Sequence, residues 1–257
     1  MTQPDYVEEN RRTWNEDAPN WVAAGEASWA SEVPTWGQWA IPDDEVGLLP
    51  ADMTELTAIE LGCGTGYVSR WMERRGASVV AIDVSEGQLA TAKRLGEEHG
   101  SRVEWLHGNA ETVPYPDGSF DFAVSEYGAA LWCDPYAWIP EAVRLLRPGG
   151  RLSFLTNSPI VTTCFPLDGS EAGFKLVRPY FGQHMFDWTG VEIDPGGVEF
   201  NLAISDWFSL FRQHGLQVVD FLELQAPESA TGTPFVVPAD WAKSHPSEIV
   251  WKLRKKP

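Results

Sequence analysis

The chain has 257 residues, with 19 Lys and Arg against 37 Asp and Glu and a formal net charge of −18. That balance argues against DNA, RNA or an acidic membrane surface as a partner, because phosphate binding needs a dense basic face. Hydrophobic residues at 43% and charged residues at 22% suit a chain that buries a core, and the length allows one large domain or a domain with an elaboration.

Residues 1–55 read as an N-terminal helical cap. The first 56 residues hold twelve acidic side chains against Arg11 and Arg12 alone, together with five of the thirteen tryptophans. Val7, Trp14 and Trp21 recur every seven residues, which predicts one face of a helical segment made imperfect by Pro19. Met1–Asp5 has neither a basic n-region nor an apolar h-region, so no signal peptide is expected. No apolar run approaches the roughly 20 residues that span a bilayer. A cytoplasmic protein is expected.

From residue 56 strands and helices alternate. Apolar or β-branched runs predict strands at 57–61, 78–82, 103–106, 120–124 and 151–155, with helices at 67–75, 85–98 and 135–146. Ser85 is placed to cap the second of these helices, and Gly100 lies just past its end. The alternation predicts an α/β fold, a parallel sheet with helices on both faces. Residues 157–200 show no clear period but many aromatics, and a helix at 204–214 and strands at 217–224 and 248–254 follow. Cys63, Cys133 and Cys164 match neither a disulfide framework nor a zinc pattern, so no metal is expected.

The informative segment is Glu60-Leu61-Gly62-Cys63-Gly64-Thr65-Gly66. Glycines between a strand and a helix let the backbone turn sharply and let a ligand approach the main chain, beside the unpaired N–H groups of a helix start. Asp83 ends the next strand, seventeen residues after Gly66, where a carboxylate can accept both hydroxyls of a ribose. Asn109-Ala110 follows the third strand, where a short polar side chain can reach an adenine edge.

Together these segments resemble the class I S-adenosylmethionine-dependent methyltransferases, closely over 56–157 and loosely over the whole chain. The likeness runs through Glu60-x-Gly62-x-Gly64-x-Gly66, Ile82-Asp83-Val84-Ser85, Asn109-Ala110-Glu111 with Val113 to Asp121, and Leu146-Arg147-Pro148-Gly149-Gly150. It implies a Rossmann-like, seven-stranded, mostly parallel sheet over 56–257, with 157–200 inserted after the fifth strand as a substrate lid. The implied cofactor is S-adenosyl-L-methionine, leaving S-adenosyl-L-homocysteine as product. By the same resemblance Gly62, Cys63, Gly64 and Gly66 contact its methionine moiety, Asp83 and Val84 its ribose, and Asn109 and Ala110 its adenine. Glu60, Gln88, Glu111, Ser125, Glu126 and Tyr127 complete the expected cofactor-binding set. The family often has Asp where this chain has Asn109, and an amide can both donate and accept at adenine.

The rival reading is a NAD(P)-dependent oxidoreductase, whose spacing is G-x-G-x-x-G; here Tyr67 stands where its third glycine belongs. Glu60 would also repel a pyrophosphate. A non-catalytic, adenosylmethionine-binding regulator shares every motif and remains an alternative.

The reaction implied is in-line methyl displacement to an O, N or C atom. Strand 120–124 runs on into Ser125-Glu126-Tyr127-Gly128, without the Asn/Asp-Pro-Pro-Tyr motif of methyltransferases acting on adenine or glutamine. With the acidic charge, this favours a small, apolar or aromatic acceptor over a macromolecule, on a monomer or homodimer. His184, within the aromatic stretch, is the candidate catalytic base, set against the plainer reading of a surface histidine. Tyr6, Trp14 and Trp21 are candidates to face the sulfonium, since aromatic faces attract cations, or else simple core contacts. Tyr127 and Trp132 are candidates to touch substrate or else simple packing residues, and Glu126 is expected at an exposed strand edge.

Overall fold

The computed structural model describes residues 5–193 and 195–257; residues 1–4, on which the reading of the N-terminus largely rests, lie outside them. Helix α1 (Asp5–Asp17) leads through a 3₁₀ turn, Ala18–Trp21, into α2 (Val22–Ala30). Pro19 sits at the start of that turn, where its missing N–H costs no helical bond. Strands β1 (Thr35–Trp36) and β2 (Ile41–Pro42) then pair as a short antiparallel hairpin, followed by α3 (Asp43–Val46). The sequence pattern did not reveal this hairpin.

The alternating part begins with β3 (Thr57–Leu61), α4 (Tyr67–Arg74), β4 (Ser78–Asp83), α5 (Glu86–Glu98) and β5 (Glu104–His107). It continues through β6 (Phe120–Glu126), α6 (Gly128–Trp132), α7 (Pro135–Leu145) and β7 (Leu146–Asn157). The expected cap forms, Ser85 Oγ accepting the Gln88 N–H at 3.1 Å, and Asp134, not foreseen from the sequence, caps α7 through Oδ1, which accepts the Tyr136 N–H at 2.9 Å. Strand β7 starts five residues earlier than the pattern predicts, because a register shift opposite Phe120 and Phe122 absorbs the Arg147–Gly150 turn.

The aromatic stretch is less irregular than its sequence. It contains α8 (Pro159–Cys164) and a second hairpin, β8 (Met185–Asp187) with β9 (Val198–Phe200). Helix α9 (Ile204–Gln213), β10 (Leu216–Leu224), a 3₁₀ turn at Pro234–Val236, α10 (Ala239–Ala242) and β11 (Glu248–Lys255) follow.

Seven strands form one sheet in the order β10-β11-β7-β6-β3-β4-β5, parallel except for β11, which runs against both neighbours. Central strands such as β3 bury nearly every side chain because both faces are covered. One apolar core holds Trp36, Met53, Phe122 and Trp241, and the other Ile59, Trp138, Phe154 and Trp251. The chain leaves β3 toward β4 on one side and returns to β6 on the other. The strand order therefore reverses between β3 and β6, which opens a crevice at their carboxyl ends. Among the described residues no helix is long and apolar enough to cross a membrane. No group of His, Cys, Asp and Glu suited to a metal ion occurs among them either.

Candidate active site

The crevice is floored by the glycine turn. Gly62, Gly64 and Gly66 all have positive φ, at 78°, 51° and 80°. A Cβ on Gly62 would lie 2.6 Å from Ala129 N, and one on Gly66 would lie 2.4 Å from the Trp105 ring, so both positions are dictated by packing. Gly64 differs: its nearest neighbour would be Gln88 Oε1 at 3.9 Å, and it faces open space. Asp83 pins the turn, Oδ2 accepting the Gly64 N–H at 2.7 Å and Oδ1 the Ser85 N–H at 2.8 Å. Burial pushes the Asp83 carboxyl up, and these two hydrogen bonds pull it back. On the next strand end, Asn109 Oδ1 accepts the Glu111 N–H at 2.9 Å, which fixes the amide at the cavity wall.

Above this floor lies a cavity of about 270 Å³. Trp14 meets Trp132 edge-on at 5.1 Å and Trp21 at 5.6 Å, and Trp21 stacks on Phe235 at 6.1 Å, so helix α1 forms one wall. The β1–β2 turn contributes Gly37 and Gln38, and Tyr127, Trp188 and Glu199 also line the cavity. The described lining residues include four carboxylates, Glu60, Asp83, Glu126 and Glu199, and no Lys, Arg or His.

Most of these carboxylates are tied down. Glu60 Oε2 accepts the Ser69 N–H at 2.8 Å, and burial pushes its carboxyl well up. Glu126 accepts the Gly37 N–H at 2.9 Å and the Tyr67 hydroxyl; it is half-buried within this network, which corrects the expected exposed strand edge. Behind the cavity, wholly buried Glu248 accepts the Gln38 N–H at 2.8 Å and the Tyr127 hydroxyl. Burial pushes Glu248 up to about 7, and Glu199 likewise to about 7. Tyr127 holds a rare backbone conformation, φ 55° and ψ −60°, as the chain turns from β6 into α6.

Of the site candidates singled out from sequence, fourteen line this cavity: Trp14, Trp21, Glu60, Gly62, Cys63, Gly64, Asp83, Val84, Gln88, Asn109, Ala110, Glu126, Tyr127 and Trp132. Five are absent from its described lining, Tyr6, Gly66, Glu111, Ser125 and His184. The Tyr6 hydroxyl donates to Glu111 Oε1 at 2.8 Å, and Ser125 Oγ donates to the Leu61 carbonyl at 2.7 Å. His184 pairs instead with Asp134 at 2.9 Å and packs edge-on against Phe200. Gly37, Gln38, Tyr67 and Phe235 line the cavity without having been singled out. Only the glycine of the β1–β2 turn left a local trace in the sequence.

Residues 59–154 match the family model of a methyltransferase domain, over the β3–β7 core that carries the glycine turn. Over that stretch the chain carries a methyltransferase domain. The chain is 36% identical over 140 residues to the demethylmenaquinone methyltransferase of Lactococcus lactis, covering 51% of this chain and 54% of that protein. Three curated relatives are spanned over only 24%, 54% and 57% of their length. A solved S-adenosylmethionine-dependent methyltransferase from Mesorhizobium loti superposes with a TM-score of 0.64 at 23% identity, over 82% of this chain and 95% of that one. The Burkholderia thailandensis 1,6-didemethyltoxoflavin-N1-methyltransferase, solved with 1,6-didemethyltoxoflavin and S-adenosylhomocysteine, gives 0.57 at 16% identity, over 100% and 93%.

Proposed function

We propose that the protein transfers the methyl group of S-adenosylmethionine to a small, apolar or aromatic molecule. The observation that carries this is one continuous cavity running from the glycine turn to an aromatic wall, with carboxylates and no cation among its described lining residues. The residues fit a cationic cofactor. The open face of Gly64 admits a ligand to the main chain, Asp83 lies where ribose hydroxyls would donate, and Asn109 where adenine would. A dinucleotide's pyrophosphate would meet Glu60 and Asp83 with no basic side chain to hold it.

When bound, the cofactor supplies a methyl group already activated on a sulfonium. The protein's part is to align acceptor and methyl and to keep water out. Trp14 and Trp21 line the cavity and would help hold the sulfonium, since aromatic rings attract cations. Glu126, held by Gly37 and Tyr67, places one carboxylate in the cavity wall. Residues 1–55 act as the cap and 157–200 as a lid contributing Phe165, Trp188 and Glu199. The demethylmenaquinone relative and the neighbour holding 1,6-didemethyltoxoflavin support a small-molecule acceptor. His184 takes no part, because it does not reach the described cavity lining.

Calorimetric titration with adenosylmethionine, adenosylhomocysteine, NAD and NADP tests this reading. The two adenosyl ligands are expected to bind, and a hundredfold excess over Kd should add about 2.7 kcal/mol of stability. Binding of NAD or NADP alone would overturn it.

A further inference from the structure

Two carboxylates at the carboxyl edge of the sheet carry charge that no neighbouring cation balances. Glu60 pairs with Val124 between β3 and β6, so Glu126 stands two positions further on, level with the start of the glycine turn. Glu248 opens β11, which runs against its neighbours, so it lies at the same edge, opposite Asn157. Burial raises both carboxyls, and the charge of Glu126 raises Glu248 further.

Every donor these two meet is neutral. Glu126 accepts the Gly37 N–H at 2.9 Å and the Tyr67 hydroxyl, and Glu248 Oε1 accepts the Gln38 N–H at 2.8 Å and the Tyr127 hydroxyl. Glu248 Oε2, on a wholly buried side chain, has no partner among the described residues. The titratable groups packed around the pair, Glu60, Tyr67 and Tyr127, are acids as well. No Lys, Arg or His occurs in the described cavity lining that Glu126 joins. A buried negative field of this kind is costly until a cation enters it.

The place of the pair decides which cation. Asp83 and Asn109 end β4 and β5, on the side of the glycine turn where the adenosine half of the cofactor is read. The order β11-β7-β6-β3-β4-β5 puts Glu126 and Glu248 on the other side, toward the methionine half and its sulfonium. We propose that Glu126, backed by Glu248, is the counter-charge to that sulfonium, and that it makes the cavity hold adenosylmethionine more tightly than adenosylhomocysteine. This rests on the methyltransferase reading of the cavity and deepens it. The two ligands differ by one methyl group and one positive charge at sulfur, so the pair favours the charged cofactor over its spent form.

Calorimetric titration of the full chain with adenosylmethionine, adenosylhomocysteine and sinefungin reads the effect of that single charge; sinefungin bears an amine-carrying carbon in place of the methylated sulfur. At about pH 8 both cationic ligands are expected to bind at least fivefold more tightly than adenosylhomocysteine. The ratio should shrink toward about pH 6, because the pair takes up a proton as pH falls through about 7. Glu126→Gln keeps an oxygen for the Gly37 N–H and loses the charge. It should cut the ratio about threefold or more while holding adenosylhomocysteine within about threefold. Glu248→Gln should move the ratio in the same direction, and it decides the matter if Glu126→Gln does not fold. Equal affinities for charged and uncharged ligands in the wild type, a ratio indifferent to pH, or an unchanged ratio in the deciding variant would each overturn the assignment. If none of the three adenosyl ligands binds, the underlying methyltransferase reading fails first.

Discussion

The Gly37 N–H donates to Glu126 at 2.9 Å across 89 residues of sequence. The next amide, Gln38 N–H, donates to Glu248 at 2.8 Å across 210. Two successive backbone donors of one exposed-looking turn are thus held by two carboxylates at the ends of β6 and β11. This seats the β1–β2 hairpin against the cavity, and it explains why the acidic N-terminal region is part of the site rather than a loose extension.

Gly37 is therefore a position where one methyl group should do disproportionate damage. Its φ is +70°, and a Cβ there would lie 2.0 Å from Glu248 Oε1. Gly37→Ala is expected to lose about 2 kcal/mol or more of stability and to weaken adenosylhomocysteine binding, because the turn must move off both carboxylates. Urea denaturation paired with calorimetry measures both. An unchanged midpoint would show that the turn is not held as described.

Glu248 makes the stability of the protein depend on pH in a definite direction. Its folded carboxyl is raised to about 7 from an ordinary value near 4.5, so its contribution is fully present below about pH 4.5 and lost as pH rises through about 7. The whole effect is on the order of 3 kcal/mol. Glu248→Gln, which cannot ionise, should show a flatter melting profile between pH 5 and 8 (roughly the range of this titration). A variant profile parallel to the wild type would refute the assignment.

The core of the fold was legible because its signals are local. Buried runs such as 78–82, the cap at Ser85 and the glycine turn each act within a few residues, and the structure forms them nearly as read. The walls of the cavity were not, because their residues are defined by distant partners. Nothing near Gly37 announces a carboxylate 89 residues away. Phe235 meets Trp21 only through the tertiary fold, and it has a positive φ that no local pattern suggests for a phenylalanine. His184 and Glu199 sit in the same aromatic stretch, and only the pairing of β8 with β9 decides which of them reaches the cavity.

Asp83 should matter twice, as a ribose acceptor and as the pin of the glycine turn. Asp83→Ala removes the oxygens that hold the Gly64 and Ser85 N–H groups. It should weaken adenosylhomocysteine binding at least about tenfold, roughly 1.4 kcal/mol. Asp83→Asn keeps one carbonyl acceptor and should fall between. Calorimetry at one salt concentration decides it, and normal binding by the alanine variant would detach strand β4 from the cofactor site.

Tyr6 and His184 should behave as packing and surface groups rather than as part of the site. Tyr6→Phe loses the hydroxyl bond to Glu111, which keeps the Asp134 N–H at 2.9 Å, so a cost of about 1–2 kcal/mol is expected. The His184 pair with Asp134 is 42% exposed on the histidine side, which places His184→Ala within about 1 kcal/mol of the wild type. Both variants should keep adenosylhomocysteine affinity within twofold, and His184→Ala should retain methyl transfer to any acceptor the wild type uses. A large loss of turnover in His184→Ala with unchanged cofactor binding would bring the histidine into the chemistry, and would require the β8–β9 hairpin to move it to the cavity during the reaction.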